Sequence, residues 1–238
     1  MNKLLILFFV LLVFVGCNKR ANSSMIDSSP ELDLDTLKDN AIYFLDTISA
    51  NDFFAIAENE NVFCNCYENT ESNIDDSKVK RNGDVLSFQL QNGKVKELVN
   101  KIDENEIFCY RASFDEINQW LVCGLCGDEH AYSFFIDKFN GKETWTVSKP
   151  VFSPNKKYFV CYKMNWTDYH TIQLFKVGKE KEIELVWYKL LMDWGANDIR
   201  WKDDKTIFIE KESIKTIGEE TSFDNKSYVK FPLEKYIN

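Results

Sequence analysis

The feature that most limits how this chain can fold is an internal repeat. Phe114 to Cys123 reads Phe, five residues, Trp, Leu, Val, Cys, and Phe152 to Cys161 reads Phe, five residues, Tyr, Phe, Val, Cys, at an offset of 38. Downstream, His130-Ala131-Tyr132-Ser133-Phe134-Phe135-Ile136 matches His170-Thr171-Ile172-Gln173-Leu174-Phe175, so the two histidines of the chain fall at like places. A shorter third copy runs from Ile199 to Ile209, and a degenerate first copy fits between Val62 and Val99. Such a chain builds its core by stacking similar units, each of which buries its apolar faces against its neighbours.

The units read as β-structure. Val62–Tyr67, Val85–Leu90 and Lys94–Val99 are short and rich in strand formers, and Asn82-Gly83 and Asn92-Gly93 mark turns beside the later ones. Trp120 to Cys126 is apolar at successive positions, which predicts a strand covered on both faces. One segment departs from this pattern. Leu34, Leu37, Ala41, Leu45 and Ile48 recur every three or four residues behind Asp33 or Asp35, which predicts a helix over 34–49.

Phe152-Ser153-Pro154-Asn155-Lys156-Lys157-Tyr158 resembles the turn between the first two strands of a blade in WD40-like and TolB-like β-propellers. The resemblance covers about 105–210 and implies an all-β fold of antiparallel, blade-like repeats. A propeller has four to eight blades, and the strand-rich region has room for four at most. The expectation is therefore an incomplete or small propeller-like sheet assembly after one N-terminal helix.

The N-terminus combines Lys3, an unbroken apolar run from Leu4 to Val15, and Phe14-Val15-Gly16-Cys17. The run is short for a bilayer span and right for a cleaved signal. The tetrapeptide resembles the lipobox of bacterial lipoproteins of the Bacteroidota type. That resemblance implies a signal peptide at 1–16 and a lipid on Cys17; the Asn-, Ser- and Asp-rich stretch that follows reads as a polar tether at 17–33, and the strand pattern as a β-rich domain over 34–238. It makes the membrane a partner through the Cys17 lipid. Asn18 to Asn22 lacks an acidic run, which favours a periplasm-facing site in the cell envelope. Asp35-Thr36-Leu37 and Asp46-Thr47-Ile48 resemble the short O-glycosylation motif of such exported proteins, although a pattern this loose also arises by chance.

The formal charge is −9, and no basic stripe offsets it, so nucleic acid is not an expected partner. Six cysteines remain beyond Cys17. An exported chain can oxidise them, and Cys109 would face Cys123 across a hairpin turning near Glu116, which makes that pair the first candidate disulfide. Six buried thiols are the alternative. Cys123, Cys126 and His130 have a spacing that zinc can use, although a strand lacks the helix N-terminus that activates a redox Cys-x-x-Cys. There is no phosphate-binding glycine loop, no G-x-S-x-G and no H-E-x-x-H, and no cofactor is expected. Trp166, Tyr169, Trp187, Trp194 and Trp201 either form blade core or bind a glycan or protein partner.

Together these features point to a lipid-anchored, non-enzymatic binding or assembly module, with no catalytic residue assigned. An envelope-acting hydrolase and an immunity-type lipoprotein are the alternatives. Processing is the most direct test. Wild-type protein should reach the membrane fraction with an acylated N-terminal Cys17, whereas Cys17→Ser should remain as precursor or leave the membrane. A mature N-terminus elsewhere, without an acyl group, would refute the lipobox.

Overall fold

The computed structural model describes residues 45–57, 74–104, 106–126, 130–164, 170–217, 220–234 and 236–237. Within them the chain begins with strand β1 (Asp46–Thr47) and helix α1 (Ala50–Phe54). Four antiparallel sheets then involve β2 (Val79–Asn82), β3 (Val85–Gln89), β4 (Val95–Val99), β5 (Ile107–Phe114), β6 (Gln119–Cys126), β7 (His130–Asp137), β8 (Glu143–Thr146), β9 (Val151–Phe152), β10 (Tyr158–Lys163), β11 (His170–Val177), β12 (Ile183–Leu191), β13 (Trp194–Asp203), β14 (Thr206–Ile217) and β15 (Glu220–Pro232). The first three sheets are meanders, β2-β3-β4, β5-β6-β7-β8 and β9-β10-β11-β12. The fourth runs β13-β14-β15 and takes β1 as its outer strand. Among the described residues they close into neither a barrel nor a propeller.

The sheets stack in chain order. Leu86 and Phe88 of the first sheet pack on Trp120, Val122, Phe134 and Ile136 of the second. Leu121 and Phe135, on the opposite face of that second sheet, pack on Phe159, Cys161 and Phe175 of the third. The third sheet's other face, with Val160, Ile172 and Leu174, meets Ile199, Ile207, Ile209 and Phe231 of the fourth. Both middle sheets are thus covered on both faces, as the apolar run at Trp120 predicts. Trp194 and Trp201 lie in this core, and Trp187 packs beside Phe231 and Tyr236. Trp166 and Tyr169 lie outside the described residues.

The repeat is present, but shifted by one residue from the sequence alignment. Cross-strand pairs set the true correspondence: Ser113↔Trp120 and Trp120↔Ile136 in the second sheet match Phe152↔Phe159 and Phe159↔Phe175 in the third, each residue 39 further along. The faces agree with this phase. Trp120 and Val122 point together toward the first sheet, whereas Tyr158 and Val160 point together toward the fourth. Val122 and Val160 are both wholly buried, but on opposite faces. A slip of one residue exchanges the faces of a strand, and only where both faces are apolar can the sequence conceal it. His130 and His170 begin the corresponding strands β7 and β11, as expected.

The helix expected over 34–49 is corrected where it can be seen. Residues 34–44 lie outside the described residues. Asp46 and Thr47 form β1 against Lys230 and Val229, and the helix starts only at Ala50. Pairing with an available sheet edge overrides a helical periodicity here. Ser49 then caps α1: its Oγ accepts the Asp52 amide at 3.1 Å, and Asp52 accepts the Ser49 amide in return. The expected strand at Val62–Tyr67 lies outside the described residues. The Asn82-Gly83 turn is confirmed, with Gly83 at φ +56 between the paired Asn82 and Val85.

Replacing the buried Val160 by Ala should lower unfolding free energy by about 1–3 kcal/mol, through lost apolar transfer plus a cavity. Val95→Ala, at a side chain 53% exposed, should change it by less than about 0.5 kcal/mol. Urea midpoints of the two variants separate a packed stack from a loose one.

Candidate functional site

At one end of the seam between the first two sheets lies a cleft of about 940 Å3, lined among others by Asp75, Asp76, Gln91, Ser113, Asp115 and Lys138. The fold assembles it from separate stretches of chain. The phase of β6 turns Trp120 toward the first sheet, where its ring lies 5.2 Å from that of Phe88. The indole Nε1 then donates to Asp76 Oδ2 at 2.7 Å, in the segment leading into β2. One strand away, the Tyr110 hydroxyl donates to Asp75 Oδ1, also at 2.7 Å. Lys138 follows β7 and is only 6% exposed. Its ammonium donates to Asp115 Oδ1 at 2.5 Å and to Ser113 Oγ, and lies 5.5 Å from the Trp120 ring centroid.

The electrostatics follow from these bonds. Partial burial would raise the Asp76 carboxyl, but the Trp120 indole, the Lys78 amide, the Ser113 hydroxyl and the Lys138 charge together hold it below the ordinary 3.8. The Lys138 hydrogen bond, then its charge, likewise lowers Asp115. Burial, reinforced by Asp75, pushes the Tyr110 phenol up, so it keeps its proton. At neutral pH the cleft therefore presents ionised acceptors on Asp76 and Asp115, with hydroxyls and amides beside them.

A second, smaller pocket of about 430 Å3 lies between α1 and the fourth sheet. Arg200 dominates it. Its Nε donates to Asp198 Oδ2 at 2.7 Å and its Nη1 to the Ile56 carbonyl at 2.6 Å, and the guanidinium lies 4.6 Å from the Phe53 ring centroid. These groups bind one another and hold α1 in place.

The sequence-predicted residues do not gather in either cleft. Cys17 lies outside the described residues. Cys109 and Cys123 face each other in register, as expected, but the bond between them is not formed. Cys109 is a buried thiol, and Cys123 is in a disulfide whose partner is neither Cys109 nor Cys161. Register brings two Cα atoms close, but the bond also requires the Cβ–S vectors to converge. The same disulfide removes Cys123 from the expected metal set, because its sulfur is no thiolate ligand. Cys126 and His130 pair across the β6–β7 hairpin, and their side chains lie outside the described set. Among the described residues no group of three His, Cys, Asp or Glu could hold a metal ion. Burial pushes the Cys161 thiol up to about 12, so it is no nucleophile at neutral pH. His170 is 4% exposed, and burial lowers its pKa.

Sequence reasoning missed Asp75, Asp76, Asp115 and Lys138. Among 38 acids no single Asp carries a signal. Asp75 and Asp76 meet β5 and β6 only through sheet packing.

No family model matches the chain, and no curated protein matches it. Among solved structures, a Mycobacterium tuberculosis puromycin-hydrolyzing peptidase is similar at 12% identity and a TM-score of 0.29, over 61% of this chain and 30% of that one. The chain thus spans less than a third of the peptidase's length, and a likeness this slight transfers no activity.

The Asp76 bonds have a pH signature. Its folded pKa lies below the unfolded one, so the stability it adds is full above the unfolded value and is lost as pH falls through the folded value. Asp76→Asn should be less stable than wild type at pH 7, and the gap should close below about pH 4. Urea midpoints across that range give the measurement, and a gap that does not change with pH would contradict the assignment.

Proposed function

We propose that the chain is a lipid-anchored, periplasm-facing envelope protein that binds a polyhydroxylated ligand, an envelope glycan, in the cleft between its first two sheets. The observation that carries this reading is the lining of that cleft: carboxylates held ionised beside hydroxyls and side-chain amides. Such a surface accepts hydrogen bonds from sugar hydroxyls and returns them from Gln89 and Gln91. Trp120 serves as a buried donor that fixes Asp76, since it is only 1% exposed.

The hydrolase alternative fits less well. Glycoside hydrolysis by a carboxyl pair needs one acid whose pKa is raised, so that it carries a proton to the leaving group. Asp76 and Asp115 both move the other way. The blade-like meanders support a scaffold role as well, with the stack as an open array of propeller-like units holding the cleft at one end of a seam.

The test uses soluble oligosaccharides released from the cell wall by muramidase digestion. Titrated into the protein, they should give a saturable change in tryptophan fluorescence, weakened about tenfold or more by Asp115→Asn, as expected for loss of a hydrogen bond to a charged group. The released sugars should remain uncleaved. A wild-type protein that shows no saturable response, or a response unaltered in the variant, refutes this use of the cleft.

A further inference from the structure

Strand β5 contains a bulge. Its pairing with β6 runs through Cys109↔Cys123 and Tyr110↔Val122 and resumes at Ala112↔Leu121, which leaves Arg111 as the extra residue. A bulge takes one residue out of the ladder and re-aims its side chain. Arg111 Nε and Nη2 are both removed from solvent, and neither meets a hydrogen-bond acceptor among the described residues. These two nitrogens share one edge of the planar guanidinium. Their N–H bonds run parallel, in the spacing that matches two oxygens of a carboxylate or phosphate.

A second guanidinium approaches the same strand. Arg81, on β2, donates from Nη2 to the carbonyl of Phe108, three residues before Arg111, and its Nη1 is also buried without an acceptor. Acids are not scarce in the chain, since Asp and Glu number 38 against 29 Lys and Arg. None of the described ones is placed on this edge. Buried donors without acceptors are strongly unfavourable, and charged ones more so. This buried edge is positioned for an acceptor that the described residues do not supply.

We propose that Arg111 is an oxyanion-binding residue, whose Nε–Nη2 edge takes the carboxylate or phosphate group of a ligand, with Arg81 adding positive potential along β5. This site stands apart from the glycan cleft, which Arg111 does not line.

The experiment observes the arginine Nε–Hε groups directly. Full-length protein labelled with 15N-arginine is titrated with inorganic phosphate and, separately, with acetate at constant ionic strength. One Nε–Hε resonance should shift saturably. A response to phosphate alone identifies a phosphate-bearing ligand, and a response to acetate a carboxylate. Arg111→Lys keeps the charge and loses the fork, so the thermal-midpoint rise given by the effective anion should need about tenfold more anion or vanish. The chain has four arginines, so Arg20→Lys, Arg81→Lys and Arg200→Lys assign the resonance by elimination even if the Arg111 variant does not fold. The proposal is overturned if no resonance saturates with either anion, if the responding resonance is not Arg111, or if Arg111→Lys responds like wild type.

Discussion

Burial of both faces of the two middle sheets is the constraint on which the rest depends. A sheet with one wet face tolerates polar residues at every second position, but here neither phase of β6 or β10 does. Trp120 and Val122 are needed by the first sheet and Leu121 by the third. Phe159 and Cys161 meet the second sheet while Val160 meets the fourth. Aromatic rings bind the middle interface, with Phe159 stacked on Phe175 at 4.8 Å and edge-on to Phe135 at 5.8 Å. Each sheet is therefore a template for the next. The phase of any one strand is held by two neighbours, because a slip would exchange its contacts on both sides.

That constraint explains what was legible in the sequence. The strands, the hairpin turns and the repeat could be read because they are local: Gly83 marks its turn, and apolar runs mark covered strands. The phase between repeats could not, because a strand apolar on both faces has no alternation to anchor an alignment. Matching Val122 to Val160 preserved burial and reversed the face. The β1 strand was hidden for another reason. Leu45 and Ile48 satisfy a helical spacing, and only the distant edge of β15 makes Asp46 and Thr47 extended. Cysteine register could be read from hairpin geometry, whereas sulfur pairing could not, since it depends on contacts beyond the hairpin. The cleft was the least legible feature. Its Asp75 and Asp76 become partners of Tyr110 and Trp120 across 35 and 44 residues of chain.

The N-terminal strap shows how the stack is finished at its other end. The outer face of the fourth sheet carries Asp198, Arg200 and Glu210, all nearly buried. A lone buried arginine would be costly, but Arg200 has a carboxylate on one side, a backbone carbonyl on another and two aromatic rings of α1 within 5.3 Å. Its interactions with Ile56 and α1 reach more than 140 residues back along the chain. The sheet thus gains its fourth strand and its cover from one short segment, held by strand pairing to β15, by Phe53 and Phe54 against Tyr228, and by Arg200. Tyr162 shares the cluster through its hydroxyl on Asp198, and burial followed by that carboxylate raises its phenol.

The two polar clusters of the molecule differ in what remains after their internal bonds are counted. Around Arg200 the groups are turned on one another, with Asp198 taking Nε, the Ile56 carbonyl taking Nη1 and two rings beside the guanidinium. Around Lys138 they are only partly so. Asp115 accepts from a buried ammonium yet keeps its side chain 90% exposed, so most of its acceptor capacity faces solvent. Asp76 uses one oxygen for the Trp120 indole and the other for the Lys78 amide, which fixes the carboxylate plane without neutralising it. A carboxylate oriented in this way loses little further freedom when a hydroxyl approaches, and limiting that loss is how a rigid site gains affinity. The same bonds that hold it ionised deny it the proton a general acid requires. That orientation arises from the packing of Trp120 into the seam rather than from any motif along the chain.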